Sequence, residues 1–521
     1  MQLGLGLAVA LSVASACGGG GNGGGGGSDA VIVGTTDKVV SFDPAGAYDQ
    51  GSWTPMWSMY QQLLRFDPGQ NTPVPDAAKS CDFMDSTNTK YECTLRSGQK
   101  FWNGDTMTID DVIYSFKRNL KIAAPEGASS LLSPIKSITK EGDTKVVFTL
   151  KEPFAVFPFV LADASNSIVD HKVFPPDKLL ASNKIIGSGP YKMDKYDDGE
   201  QLVLTPSKDY GGDHQLSNKG VIVRYYSQAT TLKTDIENGA VDVAYRTLGP
   251  TDIAGLRKES SKGVQVVEGQ GAEISYWNFN LKTMPGANPA QKLAIRRAAA
   301  MSIDRAAIAK NAYNDTVTPL YSMVPAGLSG HIEAFKDEFG AKPDVAKAKQ
   351  ELQKAGVKTP VSLDTWYTPS HYGEASRDMY LNIQRQLDAT GLFKINLKNA
   401  EWAAYSKAYP TDQYPTFQLG WFPDYPDSDD YVAPFYGTDT SFLNIHFSDK
   451  AVDAAITAER GASDEAQRVK SFEQIQRIGA KQVPMIPIWQ GKQIAVQRKG
   501  VTGVEKTLDP SYTFRYWLLG K

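Results

Sequence analysis

Apolar and polar positions along this chain follow two different periods, and the changes of period mark its organisation. Val31 to Val40 and Val146 to Leu150 carry alternating or continuous β-branched residues bounded by Asp, Gly and Pro, which predicts strands. Thr108 and Asp111 have the spacing of a capping box, and Val112, Ile113, Phe116 and Leu120 then recur on one face, so a helix is predicted over Ile109 to Leu120. From Pro343 the two patterns alternate. A helix runs through Ala355 to a stop at Gly356, Val361 to Tyr367 reads as a strand, Ala375 to Thr390 as a helix stopped by Gly391, and Ile395 to Lys398 as a strand. That alternation predicts an α/β lobe with a largely parallel sheet. No repeat with a period of about 20–50 residues runs along the chain, which argues against solenoids and propellers.

The first residues follow neither period. Leu3 to Ala16 is apolar, too short to cross a bilayer as a helix, and ends in the small residues Ala14, Ser15 and Ala16, so residues 1–16 read as a secretory signal peptide. Cys17 follows at once and resembles the cysteine of a bacterial lipobox, whose thiol receives lipid and becomes the new amino terminus. The likeness departs from the usual pattern at Ala14, where leucine is customary, and in the absence of Lys or Arg from the first sixteen residues. The alternative is an ordinary A-x-A cleavage site with Cys17 uninvolved. Gly18 to Ser28 holds nine glycines, one Asn and one Ser. Such a tract cannot bury apolar surface, so residues 17–28 are expected to be a lipidated cysteine and a flexible tether reaching about 18 Å. No strand precedes the glycines and no helix follows, so they are not a phosphate loop.

The rest of the 521-residue chain suffices for two or three domains with substantial cores. A hydrophobic fraction of 41% and a charged fraction of 22% are ordinary for a globular protein, and a net charge of −3 offers no basic surface for nucleic acid. Outside the cytoplasm a spare cysteine pair bridges, so Cys81 and Cys93, around the polar turn of CDFMDSTNTKYEC, are expected to form a disulfide closing a hairpin. Zinc is the weaker alternative, because no His lies near either thiol.

Catalytic signatures are scarce. The five histidines, His171, His214, His331, His371 and His446, are scattered, with no H-E-x-x-H. Gly187-Ser188-Gly189 runs into Pro190, which suits a turn rather than a nucleophile elbow. Acid is densest at Asp424, Asp427, Asp429 and Asp430, without the glycine of an EF-hand loop, and Asp427 or Ser428 could cap a following helix. Trp402, Tyr405, Tyr409, Tyr414, Phe417, Trp421, Phe422, Tyr425 and Tyr431 crowd around those carboxylates. Two prolines make WFPDYPDSDDY a loop, and rings beside carboxylates on a loop suit a pocket for an amphipathic, cationic ligand.

Six further segments occur in an order that carries a resemblance: YQQLLRFDP (Tyr60 to Pro68), KFWNGDTMTIDDVIYSFKR (Lys100 to Arg118), IGSGPYK (Ile186 to Lys192), ENGAVDVAY (Glu237 to Tyr245), YWNFN (Tyr276 to Asn280) and IRRAAAMSIDR (Ile295 to Arg305), after an opening SFDPA (Ser41 to Ala45). With them the chain resembles the extracytoplasmic solute-binding proteins of family 5, the peptide/nickel ABC-importer receptors of the oligopeptide- and dipeptide-binding group. The cysteine pair and the WFPDYPD wording are similar to actinobacterial lipoproteins of that family. The resemblance implies an α/β, two-lobed periplasmic-binding-protein-like fold (type II, cluster C), with a hinge between lobes and an extra domain inserted in lobe one. Lobe one would comprise residues 29–66, 187–281 and 489–521, the insertion residues 67–186, and lobe two residues 282–488.

In peptide-binding relatives the aspartate of a Trp-x-x-Asp motif pairs with the ligand's α-ammonium group, a place that Asp424 takes here, three residues after Trp421. The resemblance further implies pocket roles for Trp421, Trp402 and Tyr425, and strand-like pairing of the ligand backbone near Tyr48 and at Trp277 and Asn278. It implies a peptide ligand, no cofactor and no metal, a monomer held outside the cell membrane by its lipid, and ABC permease subunits with a cytoplasmic ATPase as partners. Two alternatives stay open at this point: an oligosaccharide receptor of the same fold, since rings stack on sugar faces, and a secreted hydrolase using a carboxylate pair such as Asp424 and Asp427.

Overall fold

A computed structural model describes residues 30–246, 248–369 and 371–521. The expected signal segment, Cys17 and the glycine tether lie outside the described residues. Two long strands, Val264–Phe279 and Met485–Arg498, organise the main sheet by pairing antiparallel over most of their length. One end of this pair continues through Val243–Tyr245, Val31–Thr35, Val221–Tyr225, Gln201–Pro206 and Tyr191–Asp197; the other continues through Thr416–Trp421, Val361–Tyr367 and Phe393–Asn399. Among the described residues the sheet counts eleven strands, including Val317–Pro319 against the second long strand.

Each end of the long pair enters its own core. Ala495 packs with Val31, Val33, Tyr60, Leu202 and Phe514, whereas Ile486 and Ile488 pack with Trp277, Phe279, Ile295, Leu363 and Ile395. Between the two ends the register slips, from Gln270 to Ile274 and again from Ser275 to Tyr276. A bulge unpairs residues and bends the strand, so the sheet is least regular where it passes from one core to the other.

The alternation after Pro343 forms as expected: Val361–Tyr367 is a strand, Ala375–Ala389 a helix, and Gly391 adopts a φ of +69° that favours glycine at a helix end. The three strands of that part lie parallel to one another, but they join the long pair antiparallel, so the complete sheet is mixed. The strand expected to run from Val31 to Val40 stops at Thr35. There Thr35 Oγ1 accepts the Asp37 amide at 3.1 Å, and Ser52 Oγ accepts the amides of Val40 and Ser41 at 2.9 and 3.2 Å, so the backbone donors leave the ladder.

A second sheet of four antiparallel strands, Ala78–Phe83, Lys90–Leu95, Lys145–Leu150 and Ile135–Glu141, stands apart with its own core. Helix Ile109–Ile122 packs on it. The Asp111 carboxylate accepts the Thr108 amide at 2.8 Å and Thr108 Oγ1 accepts the Asp111 amide at 3.4 Å, which is the capping box read from the sequence. Val112 and Phe116 are fully buried, contributing about 1.5–3 kcal/mol each. Cys81 and Cys93 face each other across the first hairpin and are disulfide-bonded. Gly187 and Gly189 press against another segment of backbone: a side chain on either would strike the backbone of Ser58 to Tyr60, at 2.0 Å for Gly187 and 2.5 Å for Gly189.

Candidate functional site

The acidic loop begins where Trp421 ends its strand, opposite Ile274. Pro423 and Pro426 cannot continue a ladder, and the chain turns until helix Asp429–Tyr436 starts. Asp427 Oδ1 accepts the Asp429 amide at 2.9 Å and so caps that helix, while Ser428 makes no side-chain cap. The four carboxylates of the loop then divide by partner. Arg468 grips Asp427 with two bonds of 2.9 and 2.6 Å, and Arg460 grips Asp429 at 2.9 and 3.3 Å. Asp424 and Asp430 have no ion-pair partner among the described residues.

Asp430 instead fixes the loop. Its Oδ2 accepts the indole N–H of Trp421 at 2.9 Å and the amide of Asp424 at 3.0 Å. Asp424 Oδ1 accepts the Tyr48 hydroxyl at 2.6 Å. Tyr48 lies between the short helix Pro44–Gly46, capped by Asp43, and helix Gln50–Met59, capped by Asp49. Arg118 anchors this segment through two bonds to Asp43, of 2.7 and 2.6 Å, with both side chains buried.

Asp163 faces the same small space, whose wall also holds Gln50, Trp53, Asp424, Tyr425 and Tyr512. The space is about 10 Å³, room for a single water. Burial pushes the Asp424 carboxyl up to about 6, opposed by the Tyr48 hydrogen bond. Burial pushes Asp163 up to about 7, and burial with the Asp424 charge raises Asp430 well above the usual carboxylate range. Carboxylates desolvated without a cation favour either a proton or a positively charged ligand.

A larger cavity of about 700 Å³ runs beside the long strands. Arg246, Glu273, Tyr313, His371, Tyr372 and Trp489 are in its wall, and Tyr512 belongs to the wall of both spaces. Phe422 meets Tyr512 edge-on at 4.3 Å and lies under the Arg246 guanidinium at 5.1 Å.

Of the residues named from the sequence, Asp424, Tyr48 and Tyr425 converge. Tyr425 donates to Asp429 at 2.9 Å and its ring leans on Phe159 beside the four-stranded sheet. Trp421 stands behind them, against Phe442 and Phe435. Trp402 stacks at 3.6 Å on His371, which lines the larger cavity. Trp277 and Asn278 do not join the group: Trp277 is fully buried against Phe279, and Asn278 donates to the Phe417 carbonyl at 3.2 Å inside the sheet. Asp163, Arg246, Glu273 and Tyr512 were not singled out in the sequence. None lies in the aromatic, acidic stretch, and folding alone brings them to it.

Asp111, Asp170 and His171 offer ligand atoms within 4.8 Å of one another, but their contacts are already committed. Asp111 serves Thr108 and His171, and Asp170 accepts from Asn103 and the Lys172 amide. They brace the helix start.

Comparison with known proteins agrees with this architecture. A di/tripeptide-binding protein of Pseudomonas aeruginosa is 28% identical over 479 residues, 85% of this chain and 86% of its own. A probable D,D-dipeptide-binding periplasmic protein, DdpA of Escherichia coli, is 25% identical over 91% of both chains. The solved structure of the ABC-transporter-associated periplasmic binding protein DppA from Helicobacter pylori, in complex with the peptide STSA, superposes with a TM-score of 0.75 at 20% identity, covering 94% of this chain and 98% of that one. The profile of bacterial extracellular solute-binding proteins, family 5 (middle region), matches residues 72–442, and the chain belongs to that family.

Proposed function

We propose that this chain is the receptor of an ABC importer: it captures peptides in the cleft between two lobes and delivers them to a membrane permease driven by a cytoplasmic ATPase. The observation that carries the reading is the state of Asp424. Two of the four loop carboxylates are neutralised by arginines, whereas Asp424 is oriented by Tyr48 and by Asp430 and has no cation beside it among the described residues. A ligand α-ammonium group supplies that cation. Removing an ammonium from water costs several kcal/mol unless a carboxylate meets it, so a free amino terminus is selected over a blocked one.

In this reading Tyr48 orients the carboxylate, Trp421 holds its loop through Asp430, Tyr425 walls the amine pocket and Trp402 backs the His371 face. Trp277 and Asn278 serve the sheet rather than the ligand, which the fully buried side chains support. The division into residues 29–66, 187–281 and 489–521, residues 67–186, and residues 282–488 is retained as a proposal, with the hinge where the chain crosses between lobes one and two. Closure of such a hinge buries the ligand and presents the shape a permease reads. An anchor at Cys17, as in actinobacterial lipoproteins, would keep the receptor on the outer face of the membrane as a monomer. Mass spectrometry of the protein from its native membrane tests this, and an unmodified Cys17 removes the anchor.

Calorimetry tests the function. A random di- and tripeptide pool is expected to bind the purified protein, and the same pool acetylated at its amino termini to bind at least tenfold more weakly. Equal binding of the acetylated pool removes the role of Asp424. Binding of oligosaccharides with no peptide binding removes the peptide reading.

A further inference from the structure

The larger cavity carries charge that an amine at Asp424 does not use. Six charged side chains are in its wall: Arg246, Asp252, Glu273, Glu374, Asp378 and Lys492. Three are matched from behind, Arg246 by Asp37 at 2.6 Å, Asp252 by Lys233 at 3.1 Å and Lys492 by Glu268 at 2.8 Å. Glu273, Glu374 and Asp378 have no ion-pair partner among the described residues. Burial lowers the pKa of His371 in the same wall, so at neutral pH it adds no positive charge.

Glu273 owes its direction to the irregular stretch of the long pair. Tyr512 Oη accepts the amides of both Ala272 and Glu273, at 3.1 and 3.0 Å, within the stretch where the register slips. A bulge re-aims a side chain, and here it turns a carboxylate toward the cavity rather than into the pleat. Burial raises the Glu273 pKa, and the Arg246 charge only partly opposes it. The same wall carries Tyr245, Tyr313, Tyr372 and Trp489, with the rings of Tyr313 and Trp489 5.1 Å apart. Burial pushes the Tyr313 hydroxyl upward, opposed by hydrogen bonds from Trp489 and Ser376 and helped by the charges of Glu273 and Asp378.

We infer that this cavity seats a second positive charge on the ligand, the basic side chain of a peptide whose amino terminus is at Asp424, and that Glu273 is the residue that selects it. The inference rests on the peptide reading above. A lysine or arginine side chain has the required form: an apolar stem for the aromatic walls and a cationic head for the carboxylates, with aromatic faces adding to the attraction. An acidic side chain meets like charge there. An apolar side chain leaves Glu273 desolvated, with only the Arg246 charge to oppose that cost. Tyr512 is in the wall of both spaces, so the two lie against one residue.

The test is calorimetry of the purified protein with a trialanine series in which each residue in turn is lysine, norleucine or glutamate. At one position lysine is expected to bind about tenfold more tightly than norleucine, with glutamate weakest. In Glu273→Gln the gap between lysine and norleucine closes, because lysine loses its carboxylate and norleucine no longer leaves one desolvated, and a far-UV spectrum matching the parent shows the variant is folded. Asp378→Asn, at an exposed helix position, narrows the same gap. Equal binding of lysine and norleucine at every position of the parent overturns the inference, as does a gap that survives unchanged in both variants. If the whole series binds without charge preference, only the second-charge seat falls. If no peptide of the series binds, the peptide reading falls and takes this inference with it.

Discussion

The Tyr48 hydroxyl donates a 2.6 Å hydrogen bond to the Asp424 carboxylate across 376 residues of chain. It ties the segment ahead of helix Gln50–Met59 to the loop that follows strand Thr416–Trp421, so the carboxylate is oriented before any ligand arrives. A group held in advance loses less freedom on binding than one that must be ordered by the ligand.

Asp424→Asn is expected to reduce affinity for free-amine peptides by about 30-fold or more, because the amide keeps the shape but loses the charge that offsets ammonium desolvation. Acetylated peptides should lose little. Calorimetry on both ligand forms checks the pair, and a variant that binds free-amine peptides as tightly as the parent contradicts the pairing.

Amine binding should weaken as pH falls through about 6, since the Asp424 carboxyl, pushed up to about 6 by burial, takes a proton and can no longer pair. Tyr48→Phe removes the hydrogen bond that holds this pKa down, so the midpoint of the pH profile should move upward. A midpoint that stays or falls assigns the titration to another group.

Asp163 contributes to stability with the opposite sign from a salt-bridged carboxylate. Its pKa rises on folding from 3.8 to about 7, so the folded chain holds the proton more tightly than the unfolded one, and the cost of ionising it grows from about pH 4 to about pH 7 and stays constant above. Asp163→Asn keeps a good cap for the short helix Ala164–Asn166 and removes that cost. The gain in Tm over the parent should be largest at pH 8 and shrink toward pH 4.5.

Removing one partner of the Asp43–Arg118 pair leaves the other charge buried alone, which costs about 3–5 kcal/mol. Asp43→Asn is therefore expected to lower Tm and, because Asp43 caps the turn that leads to Tyr48, to weaken amine binding as well. Thermal melts and calorimetry on the same sample separate the two effects.

Replacing Cys81 and Cys93 by serine opens a loop of 12-residue separation and should destabilise the four-stranded sheet by about 2–4 kcal/mol. Ligand affinity should be unchanged, because that sheet's hairpin contributes no residue to either cavity wall. Chemical unfolding of parent and double variant, followed by peptide titration, gives both numbers.

Local pattern was enough for the elements. The capping box at Thr108, the strand Val361–Tyr367 and the helix ended before Gly391 follow from spacing and from backbone preferences that act within a few residues. It was enough as well for the acid and rings of the Asp424 loop and for the facing cysteines, which are close in sequence. Local pattern could not say which carboxylates are neutralised. Arg460 and Arg468 lie more than thirty residues beyond Asp429 and Asp427, and only helix packing decides that they reach those two and not Asp424 or Asp430. Nor could it distinguish Trp277 and Asn278, which the sheet buries, from Tyr48, which it leaves part-exposed against Asp424. The fate of a charged or aromatic side chain depends on what the rest of the chain brings within a few ångströms. Here Tyr512, Glu273 and Asp163 arrive from three distant segments to line the two spaces.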